Sequence, residues 1–243
     1  MTALLAVQGL TKSFGGVRAL DECSFEIAEG SVTALIGPNG SGKTTAFNAI
    51  TGYQPADAGG LTFRGRAVRR PDPCRLQRLG LARTFQQTRV FAGLSVLENV
   101  VLGRNQSWHA LLRRRVSGSD RRRAEDLLDE FGLAAHADVP AGRLSYGQRK
   151  LLEFASVLMA EPHLVLLDEP TAGVNPIMVK TMEDHIRRRH AQGVTFLIVG
   201  HEMQFVMRLC DPIIVLDRGR PIACDAPGEV QNDPRVLDAY LGD

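Results

Sequence analysis

The chain has 243 residues, 44% of them hydrophobic and 23% charged, which is an ordinary globular composition and enough length to bury a full α/β core as one large domain. A formal net charge of +2 provides no electrostatic basis for a polyanionic partner, so nucleic-acid binding is not expected. No apolar run approaches the ~18–20 residues that cross a bilayer, and the start, MTALLAVQGL, lacks the basic segment and long apolar stretch of a secretion signal. Any membrane connection is therefore expected to come through a partner.

Short apolar runs bounded by turn residues recur along the chain. Leu4–Leu10, Ser24–Ile27 and Val32–Ile36 read as strands, punctuated by Gly30 and Gly37. Gly42–Thr51 reads as a helix opening out of a glycine-rich turn, and LTFRGRAVRR as an edge strand with a basic loop. From roughly Val90 to Pro162 the pattern turns helical. Ser95 is placed to cap VLENVVLGR, and Asp120 to cap RRRAEDLLDEFGL, with Leu127, Leu128 and Phe131 at helical spacing. Leu164–Asp168, Thr195–Val199 and Ile213–Asp217 are continuous apolar runs, as expected for strands covered on both faces of a mostly parallel sheet. The charge run Arg113–Arg123 reads as a solvated surface loop. Cys23, Cys74, Cys210 and Cys224 are widely separated and form no CxxC pair. They point to reduced thiols, most of them small core residues, rather than a metal knuckle.

GPNGSGKTT, Gly37–Thr45, matches G-x-x-x-x-G-K-[ST] between an apolar strand and a helix. In such a loop the backbone amides of Asn39, Gly40, Ser41, Gly42 and Thr45 face phosphate oxygens, and the helix N-terminus adds a favourable dipole. Lys43 would reach the β/γ-phosphates and the Thr44 hydroxyl would bind Mg²⁺. LVLLDEP places Asp168 at the end of an apolar strand, where a carboxylate can stand beside the metal, and Glu169 next to it can take a proton from an attacking water. His201 follows another buried strand, where it either contacts a γ-phosphate or is structural; Gln86 in ARTFQQ either ligates Mg²⁺ or caps a turn.

GPNGSGKTT, LSYGQ, LVLLDEP and GHEM, in this order and spacing, resemble an ABC-transporter ATPase subunit over essentially the whole chain. The resemblance implies an α/β P-loop NTPase fold: a mostly parallel core sheet, an N-terminal antiparallel β part, and a helical subdomain at about 90–162 within a single domain spanning 1–243. It implies ATP and Mg²⁺ as cofactors, with Thr44, Gln86 and Asp168 as metal ligands, Asp168 through water. Glu169 resembles the catalytic base, His201 the switch histidine, and Gln86 the glutamine that joins the metal and senses the membrane partner. Together with Lys43 these form the catalytic set, and Phe14 resembles the aromatic that stacks on adenine. LSYGQ resembles the signature motif, whose Ser145, Gly147 and Gln148 would complete the site of a second subunit. A serine ahead of a helix that starts near Gly147 offers a hydroxyl, free amides and a positive dipole end, and Leu151, Leu152, Ala155, Leu158 and Met159 form the face that buries it.

Within the family, RTFQQTRVFAGLSVLENV, RLSYGQRKLLEFA, LLDEPTAGVNP and the tail GRPIACDAPGEVQNDPRVLDAYLG resemble ATPase subunits of branched-chain amino-acid importers. Related branches import urea or short amides, or extract lipopolysaccharide. The implied assembly is a head-to-tail pair with an identical or similar subunit, bound to integral membrane permeases on the cytoplasmic face and served by a periplasmic or extracellular binding protein. Asn105–Arg123 and Gly200 fit the subgroup least, Tyr146 stands where glycine is usual, and Asn175 where aspartate is commoner. A non-transport ABC ATPase would carry two cassettes or a coiled-coil insertion, and a P-loop small-molecule kinase would have no use for LSYGQ.

Overall fold

The computed structural model describes residues 2–104 and 117–241. Two sheets share the chain. The first is antiparallel, in the order β2-β1-β4-β5, from β1 (Ala3–Phe14), β2 (Val17–Ala28), β4 (Ala58–Phe63) and β5 (Arg66–Val68). The second follows the order β10-β9-β3-β8-β7-β6, from β3 (Val32–Ile36), β6 (Leu81–Arg83), β7 (Leu164–Asp168), β8 (Thr195–Val199), β9 (Ile213–Asp217) and β10 (Arg220–Asp225). Its strands run parallel except β10, which returns antiparallel along β9.

The apolar runs of β3, β7, β8 and β9 are buried because both faces of the large sheet are covered. Alternate residues go opposite ways. Val32, Ala34, Ile36, Val165, Leu167, Phe196, Ile198, Ile213 and Val215 pack against helices on one side. Leu35, Leu164, Leu166, Leu197, Val199, Ile214 and Leu216 share the other core with α1 (Lys43–Thr51) and the antiparallel sheet. Helix α1, with Ala46, Phe47, Ala49 and Ile50 buried, is therefore wedged between two sheets.

A short α2 (Pro73–Arg78) precedes β6, and the described chain between β6 and β7 is helical. It comprises α3 (Val96–Leu102), α4 (Gly118–Glu130), two 3₁₀ turns at Ala134–His136 and Ala141–Arg143, and α5 (Tyr146–Leu158). Ser95 caps α3 in a reciprocal capping box with Glu98, as its position in the sequence implies. Helix α4 departs from expectation. Ser117, not Asp120, is its cap, and Asp120 lies buried in the first turn, paired with Arg104. The helix thus begins inside the charge run, so Gly118–Arg123 is helix rather than loop, while Arg113–Val116 falls outside the described residues together with the rest of 105–116. After β7 come α6 (Pro176–Ala191), α7 (Met203–Leu209), α8 (Pro227–Asn232) and α9 (Pro234–Leu241).

Other differences have simple causes. β2 starts at Val17 rather than Ser24 because five of its twelve residues are exposed and interrupt the buried ones, leaving no continuous apolar run. β6 has three residues and β10 contains Pro221, so neither gives a strand signal; β10 tolerates proline as an edge strand. Of the cysteines, Cys23 and Cys210 are buried, and loss of hydration pushes both thiols up to about 12, whereas Cys74 and Cys224 are exposed. Two, not most, are core residues.

Candidate functional site

The carboxyl ends of β3, β6, β7 and β8 lie side by side, and the 37–45 loop, Gln86, Asp168, Glu169 and His201 lie at or just beyond them, whereas Phe14 comes from β1 and Ser145, Gly147 and Gln148 from the start of α5. From β3 the chain turns through Gly37–Gly42 into α1, whose N-terminus has no side-chain cap, leaving its first amides free of any competing side-chain acceptor. The turn is close-packed. Gly37 has φ +147°, and a Cβ there would stand 2.0 Å from the Leu216 carbonyl oxygen. A Cβ on Gly42, φ +103°, would stand 2.4 Å from Ala19 O. The β1–β2 hairpin thus abuts the start of α1, and Phe14, at the end of β1, is 43% exposed with Lys12 Nζ 5.6 Å from its ring centroid. Ser41 is buried, whereas Asn39, Gly40 and Thr44 are exposed and Thr45 half-buried. Lys43 Nζ donates to Gly37 O at 2.8 Å and Pro38 O at 2.7 Å. Its pKa is lowered by burial, and the nearby Glu169 charge opposes that shift.

Asp168 ends β7 and is 4% exposed. Its Oδ2 accepts from Arg83 Nη2 at 2.8 Å, while Arg83 Nη1 donates to Asn48 Oδ1 (2.8 Å) and Thr51 Oγ1 (2.9 Å) on α1. The guanidinium sits among the rings of Phe47, Tyr53 and Phe85, at 5.4, 5.6 and 5.1 Å. Arg83 therefore ties the phosphate helix to the β7 carboxylate. Glu169 follows at φ +47°, a left-handed backbone that costs a non-glycine residue about 1 kcal/mol or more. The turn is held by Glu169 N–H donating to Val199 O at 2.8 Å. It aims the carboxylate at Gln86, whose Nε2 donates to Oε2 at 3.0 Å, and at His201, whose Nδ1 is 3.7 Å from Oε1. His201 is exposed and Glu169 partly so, leaving water access to the pair.

Ser145 caps α5 through a second capping box: Ser145 Oγ accepts from Gln148 N–H at 3.3 Å and Gln148 Oε1 accepts from Ser145 N–H at 2.9 Å. Gln148 Nε2 also meets His136 Nε2 at 3.2 Å. The serine is exposed and its hydroxyl proton has no acceptor in this box, so the hydroxyl keeps a donor available. The helix begins at Tyr146, one residue before the expected start near Gly147, and its anticipated apolar face is buried. Gly147 faces Met178, with 3.2 Å between its would-be Cβ and Met178 Cε. Among the described residues no hydrogen bond joins Ser145, Gly147 or Gln148 to their own phosphate loop. The ring of Tyr146 lies over Gly173 (φ +71°), 3.3 Å from the position of a Cβ there, joining LSYGQ to AGVNP. Asn175 caps α6, its Oδ1 accepting from Met178 N–H at 2.9 Å as an aspartate would. At Gly200 a Cβ would meet only Val206, at an ordinary 3.7 Å, so packing does not require glycine there.

Sequence reasoning missed Arg83, Lys150 and Glu153. Lys150 is 4% exposed and donates to Glu169 O (2.8 Å) and Gln86 O (3.4 Å); Glu153 is 6% exposed and accepts from Phe85 N–H (3.1 Å) and Arg89 N–H (3.3 Å). Burial pushes the Glu153 carboxyl up to about 7, against the pull of the two amides and of Lys150. The available signal was their place among Leu151, Leu152, Phe154 and Ala155, where a charge needs a partner.

No group of three or more His, Cys, Asp or Glu side chains suited to a metal occurs among the described residues. The residues singled out for a metal, Thr44, Gln86 and Asp168, offer a hydroxyl, an amide oxygen and a carboxylate, the oxygen donors that a hard cation such as Mg²⁺ takes. No described helix is long and apolar enough to cross a membrane.

Residues 20–172 match the family model described as "ABC transporter", and residues 220–243 match "Branched-chain amino acid ATP-binding cassette transporter". The chain is 38% identical to the high-affinity branched-chain amino acid transport ATP-binding protein LivG of Salmonella typhimurium, covering 99% of this chain and 98% of that one. It is 34% identical to BraF of Pseudomonas aeruginosa, with the same coverage of both chains. The crystal structure of a nucleotide-free ATP-binding cassette from an ABC transporter superposes with a TM-score of 0.89 at 34% identity, covering 100% of both chains. A cassette in its ADP conformation gives 0.89 at 33% identity, again over 100% of both. This chain belongs to the ABC transporter family, as a nucleotide-binding subunit that hydrolyses ATP to drive transport.

Proposed function

We propose that the chain powers a membrane importer for branched-chain amino acids. Two such subunits, identical or similar, would close head to tail on two ATP molecules. Phe14 stacks on the adenine, and the 37–45 loop with Lys43 cradles the phosphates. Thr44, Gln86 and, through water, Asp168 would hold Mg²⁺, which when bound would neutralise phosphate charge. Glu169 takes the proton of the attacking water while His201 orients the γ-phosphate side. Ser145, Gly147 and Gln148 reach the phosphate of the other subunit through the exposed N-terminus of α5. Separation of the pair after hydrolysis is read by permease subunits near Gln86 and Val90–Leu94, at the cytoplasmic face, and a binding protein delivers the substrate outside.

The observation that carries this reading is the meeting of Gln86, Glu169 and His201 at the sheet edge, with Gln86 and Glu169 3.0 Å apart, beside an uncapped phosphate helix. The substrate reading rests on the tail match and on what the relatives are named for. Co-expression with the neighbouring permease genes and uptake assays with labelled leucine, urea and acetamide test it. Uptake of leucine alone is expected; uptake of urea or acetamide without leucine would transfer the assignment to the amide-importing branch.

A further inference from the structure

Helix α5 buries an apolar stripe, yet Lys150 and Glu153 stand within it at 4% and 6% exposure. A methionine would fill the space of Lys150 without the loss of hydration that a buried ammonium suffers. Packing alone therefore gives no reason for the charge. Its contacts do. No carboxylate among the described residues forms an ion pair with Lys150, and its Nζ instead donates to two main-chain carbonyls, Glu169 O at 2.8 Å and Gln86 O at 3.4 Å. Those carbonyls belong to the two residues whose side chains meet at 3.0 Å in the site. One also belongs to the left-handed turn at φ +47° on which the aim of the Glu169 carboxylate depends. The Tyr146 ring covers the ammonium at 5.7 Å, and Glu153 grips the same loop through the amides of Phe85 and Arg89.

We infer that Lys150 is a positioning residue for ATP hydrolysis: its ammonium clamps the Glu169 turn to the Gln86 loop and so fixes where the Glu169 carboxylate meets the attacking water. The inference rests on Glu169 acting as the base. It gives α5 two tasks, one at its exposed first residues and one, a turn later, inside its own subunit. Lys150 holds main-chain oxygens and not the Glu169 carboxylate, so its loss misplaces the base without removing it.

The test uses the purified full chain with Lys150→Met, Lys150→Arg, Glu169→Gln and the double variant Lys150→Met/Glu169→Gln, measuring steady-state ATPase rates and binding of a fluorescent ATP analogue. A displacement near 1 Å typically costs about 100-fold in rate, so Lys150→Met should lower kcat roughly 10- to 100-fold while analogue affinity stays within about threefold. Lys150→Arg, which keeps a cationic donor, should recover most of the rate. In the Glu169→Gln background, adding Lys150→Met should change the residual rate less than about threefold, because the two substitutions disable one function. Wild-type kcat in Lys150→Met, an equal loss in Lys150→Arg, or an undiminished loss in the double variant would each overturn the inference. Near-normal turnover by Glu169→Gln alone would instead remove the underlying base assignment. Should Lys150→Met fail to fold, Lys150→Gln, which keeps a polar end without the charge, replaces it in every arm and is held to the same outcomes.

Discussion

Arg83 offers a direct measure of how the phosphate helix and β7 are held together. It is 6% exposed on its side chain and makes one ion pair and two hydrogen bonds to three residues on two elements. Each charge-assisted hydrogen bond carries about 1.5–3 kcal/mol, and a desolvated cation over an aromatic face about 2 kcal/mol. These contributions share one guanidinium and do not add. The governing quantity is the cost of leaving Asp168 buried without its partner, about 3–5 kcal/mol. Arg83→Met keeps much of the apolar stem and removes the charge, so it should destabilise by that amount. For a chain of this length, 1 kcal/mol corresponds to about 2–4 °C, so the melting midpoint should fall by roughly 6–20 °C in differential scanning fluorimetry. Adding Asp168→Asn should return part of the loss, since the orphaned charge is then gone. A fall below about 2 °C, or no recovery in the pair, would show that the Arg83–Asp168 contact carries no net stability and that α1 is held by packing alone.

Gly37→Ala should fail to bind ATP in an analogue titration, because its Cβ would overlap Leu216 O at 2.0 Å. Ser145→Arg should retain nucleotide binding by the isolated subunit and lose turnover; loss of both would count against the cross-subunit role. Asn175→Ala should cost about 1 kcal/mol of stability, while Asn175→Asp should be neutral, read from urea midpoints. Glu153, with its folded pKa raised to about 7 from 4.5, binds more protons folded than unfolded between those values. Its stabilising contribution is present below about pH 4.5 and lost as pH rises through about 7, a difference on the order of 3 kcal/mol. Glu153→Gln should accordingly gain on the wild type at pH 8 and not at pH 4.5 in paired thermal melts; equal gain at both would refute the burial argument.

The local frame of the residues proposed to meet phosphate was legible because their spacing is dictated locally: glycines where φ is positive, a lysine and threonine at a helix start, acids at a strand end. The supporting residues were not. Arg83 lies in a three-residue strand, and its partners are 32, 35 and 85 positions away. The apolar neighbours of Lys150 signal that it needs a partner, but only the fold shows that the partner is Glu169 O. The Gly118–Arg123 part of the charge run misled through composition, since arginines that follow a serine cap serve a helix as readily as a loop. Asn175, an apparent departure, fills the helix-cap position that an aspartate can also fill, its Oδ1 accepting from Met178 N–H.

The wedging of α1 between the two sheets bears on mechanical compliance. A helix gripped on both flanks by Leu5, Ile27, Leu35 and Leu216 cannot slide without opening dense core on both sides. Force applied at its N-terminus is therefore passed on rather than absorbed. Across the large sheet the junction is of another kind: Glu153 accepts from the Phe85 and Arg89 amides and Lys150 donates to Gln86 O, so directional hydrogen bonds join α5 to the Gln86 loop. Of the two junctions the one at α1 is the stiffer, because core on both flanks must open before that helix shifts.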